Sequence, residues 1–482
     1  MSNAEQKPIA YECRFATYCK GMPYSEDDLH VIKEIQHFAD GTSRPFLRLK
    51  KNHTRPIYVT KKGMRNHKDN KEWEKLENLD RYETRQKDLV DTVAKALGRY
   101  GWRGTLRDLC EEYPYVFGGD ISSTSYIKQM YIERWSKQTE YTVASFDTET
   151  DMLDDTGEII MATISYKHRV YTAVKKHFVR AFPQPERAVR EMFAKLLGDD
   201  IKQRGLVLEI DFVENEIDIV RGCMNKAHEW MPDFIGVWNI GFDMKKMLEA
   251  CKRANVDPAM IFSDPKVPDE FKFFRFKEGK AKKTSASGRV MNFKPSQQWH
   301  SVFTPASFTF IDSMQAYVKV RQGEPELPSY ALDDILQKEI KRTKLKIKEA
   351  EKYKGAAWHV YMQREQPIVY IVYNIFDSVG MEILDEKTKD LALSLPMFAG
   401  TTDFCDFNSL PKRAMNEIHW FIKELDQVTG TTAKDMKTDL DENTNLSGLI
   451  VMLPSHLVAD NGKRIIEEDP TLRTNIRTHT AD

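Results

Sequence analysis

Three acidic motifs, spread over about half of the chain, contain the residues with the clearest chemical potential. Side chains of these types can hold two divalent cations, one of which activates a water molecule while the other stabilises a leaving oxygen. Hard ions with oxygen ligands, Mg²⁺ or Mn²⁺, suit carboxylates best. The pattern predicts metal-dependent hydrolysis of a phosphodiester bond, which needs no Ser, His or Cys nucleophile. The candidate catalytic residues are Asp147, Glu149, Asp243, Tyr373 and Asp377.

The first motif places Asp147 and Glu149 two residues apart, directly after the apolar run 142–146. In a strand, side chains with this spacing point to the same face. Two carboxylates so close repel each other unless a cation neutralises them. Asp-x-Glu alone more often marks a surface turn, since Asp and Glu fill 73 of the 482 positions. The preceding apolar run instead favours an interpretation in which the two acids lie at the end of a buried strand.

Asp243 ends the second motif, Trp-Asn-Ile-Gly-Phe-Asp, where a predicted buried strand (234–238) leads into a predicted helix (243–254). An acid at the start of a helix often serves only as a cap. Asn239 offers an amide that can hydrogen-bond a nucleotide, and it can equally form a turn. Phe242 is a candidate for stacking on a nucleotide base, although most such aromatic side chains belong to a core. Both interpretations of each residue stay open at this point.

Tyr373 and Asp377 bracket the third motif, Tyr-Asn-Ile-Phe-Asp, and lie four residues apart. On a helix, residues with this spacing share a face. The carboxylate can then hold a metal ion while the phenol orients the attacking water. A buried tyrosine with a satisfied hydroxyl group is the alternative interpretation of Tyr373 taken alone.

The elements around these motifs predict an α/β fold. Strands at 159–166 and 170–174 follow the first motif in hairpin order, and helices near 185–198 and 213–230 come next. Strands followed by helices interleaved with further strands are typical of an α/β domain. We assign this central domain to residues 136–390.

The stretch before it, residues 1–135, predicts an α+β domain that carries no catalytic residues of its own. Strands at 30–37 and 44–49 flank a turn sequence, which predicts a hairpin. The apolar spacing farther along predicts helices at 69–77 and 81–98.

The stretch after the central domain, residues 391–482, predicts a return to mixed structure. A helix is expected near 411–426 and a short apolar strand at 448–453. The sequence offers that strand no obvious sheet to join.

The insertion 264–305 interrupts the central domain with a basic segment. Between Lys266 and Lys294, nine Lys or Arg residues stand against three acids, a local charge of about +6. The whole chain has a net charge of −1, so phosphate binding has to rely on local patches such as this one. The insertion is either a solvated surface loop or a basic hairpin that touches a nucleic-acid backbone. Its candidate nucleic-acid residues are Lys280, Lys282, Lys283 and Arg289.

Composition and cysteine spacing argue against several classes of protein. The chain is 41% hydrophobic and 30% charged, and no run approaches the 18 or so apolar residues of a transmembrane helix. Its polar start is unlike a signal peptide, so we expect a cytoplasmic protein. Six scattered cysteines contain no Cys-x-x-Cys pair, which argues against a zinc knuckle or a redox site.

The three motifs resemble the Exo I, Exo II and Exo III signatures of the 3′→5′ proofreading exonuclease in family B DNA polymerases. That domain has an RNase H-like fold and belongs to the DEDD superfamily, and Tyr373 is typical of the subtype that uses Tyr where others use His. The segments 308–312 and 327–332 look like those between Exo II and Exo III in T-even-type phage enzymes. The basic insertion falls where those enzymes carry a β-hairpin that helps to move the primer end. The resemblance covers roughly residues 130–482 and is most specific over 141–391.

The resemblance implies a 3′→5′ DNA exonuclease with an RNase H-like domain, an N-terminal α+β domain and the beginning of a palm domain. Two Mg²⁺ or Mn²⁺ ions would be its cofactors, and the single-stranded 3′ end of DNA, or a primer–template, its substrate. The metal ligands that the resemblance implies are Asp147, Glu149, Asp243 and Asp377.

The sequence departs from the family pattern in two places. T-even relatives usually have one more residue between the Asn and the Phe of Exo II, which here are Asn239 and Phe242. The run 448–454 looks like the strand that enters a palm domain, but the polymerase motifs Asp-x-x-Ser-Leu-Tyr-Pro and Tyr-Gly-Asp-Thr-Asp do not occur in the sequence. DNA synthesis would therefore need palm, fingers and thumb, either from a second chain, which could also make contact with a sliding clamp, or from the rest of a longer polymerase of which this sequence is a part. A phage origin would place the protein in the host cytoplasm.

Two other classes of function remain as alternatives. The first is a stand-alone single-strand 3′→5′ exonuclease that acts in repair or degradation and needs no partner. The second is a non-catalytic DNA-binding or scaffold subunit whose acids are idle. Retention of all four carboxylates and of Tyr373 argues against the second alternative.

Overall fold

The amino-terminal part of the protein consists of small antiparallel sheets packed against short helices. The computed structural model describes residues 7–22, 25–284 and 288–433. Its first strands are β1 (Ala10–Cys19), β2 (Leu29–His37), β3 (Ser43–Lys51), β4 (Thr54–Thr60), β5 (Trp73–Lys75), β6 (Leu79–Arg85) and β7 (Val116–Phe117). Its first helices are α1 (Leu89–Ala96), α2 (Leu106–Glu112) and α3 (Ser123–Arg134). The strand order is β1–β2–β3 in one sheet and β6–β4–β7 in another.

The local sequence predicted only part of this arrangement. The hairpin expected at 30–37 and 44–49 is confirmed as the β2–β3 pair. The helix expected at 69–77 is wrong, because β5 and a short 3₁₀ turn lie there. The helix expected at 81–98 is correct only for its second half, since residues up to Arg85 form β6, which pairs with β4. Tyr and Thr residues in that segment favour a strand.

A six-stranded sheet forms the centre of the protein. The strands of this region are β8 (Val143–Thr150), β9 (Ile159–Tyr166), β10 (Arg169–Lys175), β11 (Val207–Val213), β12 (Phe234–Val237), β13 (Arg275–Lys277), β14 (Lys282–Thr284), β15 (Val290–Asn292), β16 (Ser301–Phe303) and β17 (Thr309–Asp312). The sheet has the order β11–β10–β9–β8–β12–β17. β8, β9 and β10 are antiparallel neighbours, whereas β12 runs parallel to both β8 and β17.

Helices cover both faces of this sheet. They are α4 (Pro185–Leu196), α5 (Gly198–Arg204), α6 (Glu216–Trp230), α7 (Ile240–Arg253), α8 (Pro258–Phe262), α9 (Ser313–Val320), α10 (Leu332–Ile340), α11 (Ala356–Glu365) and α12 (Pro367–Thr388). α6 and α7 pack on one face through one apolar core, and α12 packs on the other face through a second core. The α/β class predicted from the sequence is confirmed.

Two details of the central region differ from the sequence prediction. β11 was not predicted, although its acidic residues alternate with apolar ones, as is typical of a half-exposed edge strand. α7 begins at Ile240, three residues earlier than predicted, so that Asp243 lies inside its first turn. The strands predicted at 159–166 and 170–174 are confirmed as β9 and β10.

The long apolar helix α12 is the one described segment that could cross a membrane by length and composition. The sequence prediction of no membrane-length apolar segment missed it. However, 83% of its apolar window is buried inside the protein, which is the environment of a core helix. The cytoplasmic location stays a prediction.

The chain then returns to the amino-terminal sheets. Its last described elements are α13 (Leu395–Ala399), α14 (Leu410–Lys423) and β18 (Gln427–Thr429). β18 pairs with β5 in antiparallel register, and Thr431 N donates a hydrogen bond of 3.0 Å to the carbonyl of Val116 in β7. The helix predicted at 411–426 is confirmed as α14, whereas the strand predicted at 448–453 lies outside the described residues.

A buried ion-pair cluster joins β1 and β2 to the central region. Asp233, just before β12, lies 3.3 Å from Arg14 Nε and 3.8 Å from Lys33 Nζ. Arg14 also pairs with Glu12. Lys33 Nζ donates 2.8 Å to the carbonyl of Ser307, just before β17. The cluster therefore contains two carboxylates, an Arg and a Lys side chain and, 3.5 Å from Glu12, the imidazole of His37, all of them buried.

Candidate metal centre

Three carboxylates converge where α12 packs on β8. Asp147 and Glu149 project from β8, as their spacing predicted, and Asp377 projects from α12. One oxygen of each can be chosen so that all three lie within 4.8 Å of one another. Oxygens this close are spaced as ligands of a single metal ion would be, and carboxylate oxygens are ligands that Mg²⁺ and Mn²⁺ accept. The three residues could therefore hold a metal ion.

The site concentrates negative charge in a poorly solvated place. Burial raises the pKa of Asp147 well above its usual range, and the charges of Asp377, Asp243 and Glu149 raise it further. Burial also raises the pKa of Glu149 to about 8. Carboxyl groups with such pKa values hold protons until another positive charge replaces them. A divalent cation is the natural replacement.

Asp243 lies beside this group but does not belong to it. Its Oδ1 accepts hydrogen bonds from Thr148 N at 3.2 Å and from Thr148 Oγ1 at 2.6 Å. Thr148 stands between Asp147 and Glu149 in β8, so its side chain faces the opposite way. Burial raises the pKa of Asp243 to about 6. The sequence prediction of four equivalent metal ligands is therefore supported for three carboxylates, with Asp243 contributing a nearby negative charge.

A lysine that was not predicted from the sequence, Lys344, lies beside Asp377. Lys344 Nζ donates 2.5 Å to Asp377 Oδ2 and 3.1 Å to the hydroxyl of Tyr373. Burial raises the pKa of Asp377, and Lys344 opposes this rise. Tyr373 and Asp377 thus share one face of α12, as predicted, with the ammonium group between them.

Two further residues were missed although the third motif contained a signal for them. Asn374 Nδ2 donates 2.7 Å to Asp147 Oδ2, and the hydroxyl of Tyr370 donates to Glu149 Oε2. Positions 370, 373, 374 and 377 share one stripe of a helix, so the helical spacing could have identified both. Lys344 carries no such signal, because it lies in a lysine-rich loop that reads as solvated surface.

The predicted nucleic-acid residues of the second motif lie at the start of α7. Asn239 precedes the helix and is exposed, and its side chain makes no capping hydrogen bond. Phe242 is 46% exposed and adjoins Asp243 in sequence. Phe242 therefore presents an exposed aromatic ring on the first turn of α7, next in sequence to Asp243.

The basic insertion forms a hairpin. β14 and β15 pair in antiparallel register, with Lys282 and Lys283 in β14. Lys280 precedes that strand and Arg289 precedes β15, and the side chains of Lys280, Lys282 and Arg289 are exposed. The turn residues 285–287 lie outside the described part of the chain.

The base of this hairpin is attached to α7. Glu278 lies 2.7 Å from Lys245 of α7, and Gly279 N donates 3.2 Å to His300 Nδ1. The ring of His300 in turn leaves no room for a side chain at Gly241, in the first turn of α7. The basic hairpin is therefore anchored next to the helix that carries Asp243.

No known protein-family model matches the chain, and a search among curated proteins finds no significant match.

Proposed function

We propose that the protein is a metal-dependent 3′→5′ exonuclease that acts on the single-stranded 3′ end of DNA. We propose further that its central region is an RNase H-like domain and that the chain forms the proofreading part of a family B DNA polymerase. The observation that carries the proposal is the meeting of Asp147, Glu149 and Asp377 in one site, with Tyr373 one helical turn from Asp377.

These three carboxylates could hold a metal ion, which supports the proposal that the site binds two divalent ions. Asp147, Glu149 and Asp377 would hold them, with Asp243 adding negative charge from the other side of β8. When bound, Mg²⁺ or Mn²⁺ would supply Lewis-acid chemistry, lowering the pKa of a water molecule and offsetting negative charge on the phosphate and on the leaving oxygen. The hydroxyl group of Tyr373 points towards Asp377 and Lys344, where it can orient the attacking water.

The surroundings of the site support a frayed strand as the substrate. A terminal nucleotide needs an aromatic or apolar surface for its base and cationic groups for its phosphates. Phe242 offers the first, and Lys280, Lys282 and Arg289 of the anchored hairpin offer the second. Because metal and backbone contacts carry no base information, we expect little sequence preference.

The decisive experiment is digestion of a 5′-labelled single-stranded oligonucleotide in the presence of Mg²⁺. We expect stepwise shortening from the 3′ end, complete inhibition by EDTA, and a loss of about 10³-fold or more in the double variant Asp147→Ala/Glu149→Ala. The matched control is Asp154→Ala/Asp155→Ala, which removes the same charge from the exposed loop after β8. Undiminished digestion by the first variant would refute the assignment.

One surface feature supports a protein partner over a stand-alone nuclease. Leu410, Ile418 and Phe421 lie on the outer face of α14 and are 63%, 52% and 63% exposed, whereas Trp420 on the opposite face is buried. Contiguous exposed apolar side chains are typical of an interaction surface. We propose a polypeptide with palm, fingers and thumb as the partner, since these domains accompany the exonuclease in the polymerase family that the motifs resemble.

The partner proposal can be tested apart from catalysis. We expect a stable complex with such a polypeptide, weakened by Phe421→Glu, with exonuclease activity on free oligonucleotides retained in the variant. Efficient digestion by the isolated chain without any measurable binding to a polymerase subunit would favour the stand-alone nuclease.

A further inference from the structure

We infer that Tyr370 and His359 are positioning residues that fix one oxygen of Glu149 and thereby set the affinity of the site for divalent cations. The inference rests on the proposed metal site and concerns two residues that were not among the candidate site residues predicted from the sequence. The supporting observation is that, in each carboxylate of the site, one oxygen accepts a hydrogen bond from a protein donor while the other can bind an ion.

Each of the three carboxylates has one oxygen held by a donor from the protein. Asn374 holds Oδ2 of Asp147 and Lys344 holds Oδ2 of Asp377. The other oxygen of Asp377, Oδ1, is buried and accepts no hydrogen bond within the described structure. A buried carboxylate oxygen without a partner is costly unless a cation reaches it. The held oxygen fixes the orientation of the group, and the other is left for an ion.

One oxygen of Glu149 is likewise held by a protein donor, here through hydrogen bonds that link Glu149 to Tyr370 and Tyr370 to His359. The hydroxyl of Tyr370 donates to Glu149 Oε2, and His359 Nδ1 lies 2.7 Å from that hydroxyl. A phenol has one proton to donate, so a hydroxyl that donates to the carboxylate must accept from the imidazole. The geometry therefore assigns the proton of a neutral His359 to Nδ1. This bond directs the phenolic proton towards Glu149.

The helix that carries His359 is itself fixed to the end of β8. One turn farther along α11, Gln363 Nε2 donates 2.8 Å to the carbonyl of Thr150, and Gln363 Oε1 accepts 2.9 Å from Met152 N. His359 and Gln363 lie four residues apart and so share a face of the helix. The same helix that orients Tyr370 thus holds the strand from which Glu149 projects.

Glu149 needs this support more than the two aspartates do. Its side chain has one more rotatable bond than that of Asp, so an unsupported carboxylate would sample more orientations. Outer donors to metal ligands typically change metal affinity or activity by 10–100-fold when they are removed. The alternative, that Tyr370 is only a core tyrosine, predicts a loss of stability without a change in metal affinity.

The test measures binding of Mn²⁺ to the full chain by titration calorimetry, which needs no catalytic turnover. In Tyr370→Phe, which keeps the ring and removes the hydroxyl, we expect the Kd to rise about 10-fold or more. In His359→Ala we expect a smaller rise, and in His359→Asn, which retains a donor nitrogen, a partial return towards the wild-type Kd. The control is Tyr361→Phe, on the same helix, whose ring stacks on Tyr353 at 4.6 Å; its Kd should not change.

A second measurement separates positioning from catalysis. In oligonucleotide digestion, the concentration of Mg²⁺ at half-maximal rate should rise in Tyr370→Phe in parallel with the Kd for Mn²⁺, while kcat at saturating Mg²⁺ changes by less than the Kd does. A Kd for Tyr370→Phe within twofold of the control would overturn the inference.

The proposed function fails separately from this inference. Wild-type protein that binds no Mn²⁺ would refute the metal site and this inference together. Protein that binds Mn²⁺ with the expected variant pattern but digests no DNA would refute the exonuclease and leave the positioning role supported.

Discussion

Two buried groups of charged side chains in this protein differ in one respect, their balance. The ion-pair cluster between the amino-terminal sheets and the central sheet contains two carboxylates, Glu12 and Asp233, and two basic groups, Arg14 and Lys33. The candidate metal centre contains three carboxylates, and the basic side chain that pairs with them within the described residues is Lys344. Burial of charge is tolerated only where the charge is compensated. The balanced cluster can therefore be explained as structure alone, whereas the unbalanced one is incomplete without further positive charge.

The largest effect that would break this comparison concerns stability. Asp233→Asn leaves Arg14 and Lys33 without their shared carboxylate, so we expect the free energy of unfolding to fall by about 3–5 kcal/mol. Asp147→Asn in metal-free protein replaces a carboxyl group that is costly to ionise with a neutral amide, whose oxygen can still accept from Asn374, so we expect no loss of stability or a gain. Urea unfolding in EDTA at pH 8 measures both. Equal destabilisation by the two variants would show that balance does not distinguish the clusters.

A second prediction concerns how the stability of the metal-free protein depends on pH at the candidate metal centre. The pKa of Glu149 is raised from about 4.5 to about 8 in the folded protein, so the folded state retains a proton that the unfolded state has lost. The stabilising contribution of this proton is present at low pH and is lost as the pH rises through 8. Metal-free protein should therefore lose stability between about pH 4.5 and 8.

Addition of Mg²⁺ should reverse that loss. At a concentration of 100 times the Kd, we expect about 2.7 kcal/mol of added stability at pH 8, and much less at pH 5, where protons compete for the same carboxylates. Denaturation curves with and without Mg²⁺ at the two pH values measure this difference. A Mg²⁺ effect that does not depend on pH would contradict the proposed ligands.

The smallest effect is expected at the basic hairpin, because its basic side chains are exposed to solvent and not buried. Lys280→Ala/Lys282→Ala should weaken binding of single-stranded DNA a few-fold and reduce the slope of log affinity against log salt by about 1.4 if both lysines contact phosphates. Fluorescence anisotropy over a range of salt concentrations measures the slope. Lys61→Ala/Lys62→Ala, in the exposed turn after β4, is the matched control. Equal slopes for the two double variants would indicate that the hairpin is a solvated surface element that does not contact DNA.

Local periodicity was sufficient for those parts of the molecule that short-range rules determine. The strand pair β2–β3, the strands β9 and β10, and the shared face of Tyr373 and Asp377 follow from spacings of two and four residues. The convergence of β8 with α12 was expected from the motifs, and the structure places the side chains together.

Contacts between distant segments account for what the sequence did not indicate. The helix expected at 69–77 is a strand because β5 pairs with β18, about 350 residues farther along the chain. Lys344 reaches Asp377 from a loop whose composition resembles ordinary surface. The pairing of Arg14 with Asp233 depends on how two sheets meet, which no local pattern records.

The pairing of β5 with β18 has a mechanical consequence. The polypeptide leaves the amino-terminal sheets after α3 and rejoins them at β18. The chain segment that forms the carboxylate-bearing sheet is therefore attached to the amino-terminal sheets at its beginning and at its end. Two attachments restrict rotation of the central sheet relative to the amino-terminal sheets more than one attachment would. In the proposed reaction, delivery of a DNA 3′ end to the carboxylates should then depend on bending of the DNA more than on rotation of the central sheet.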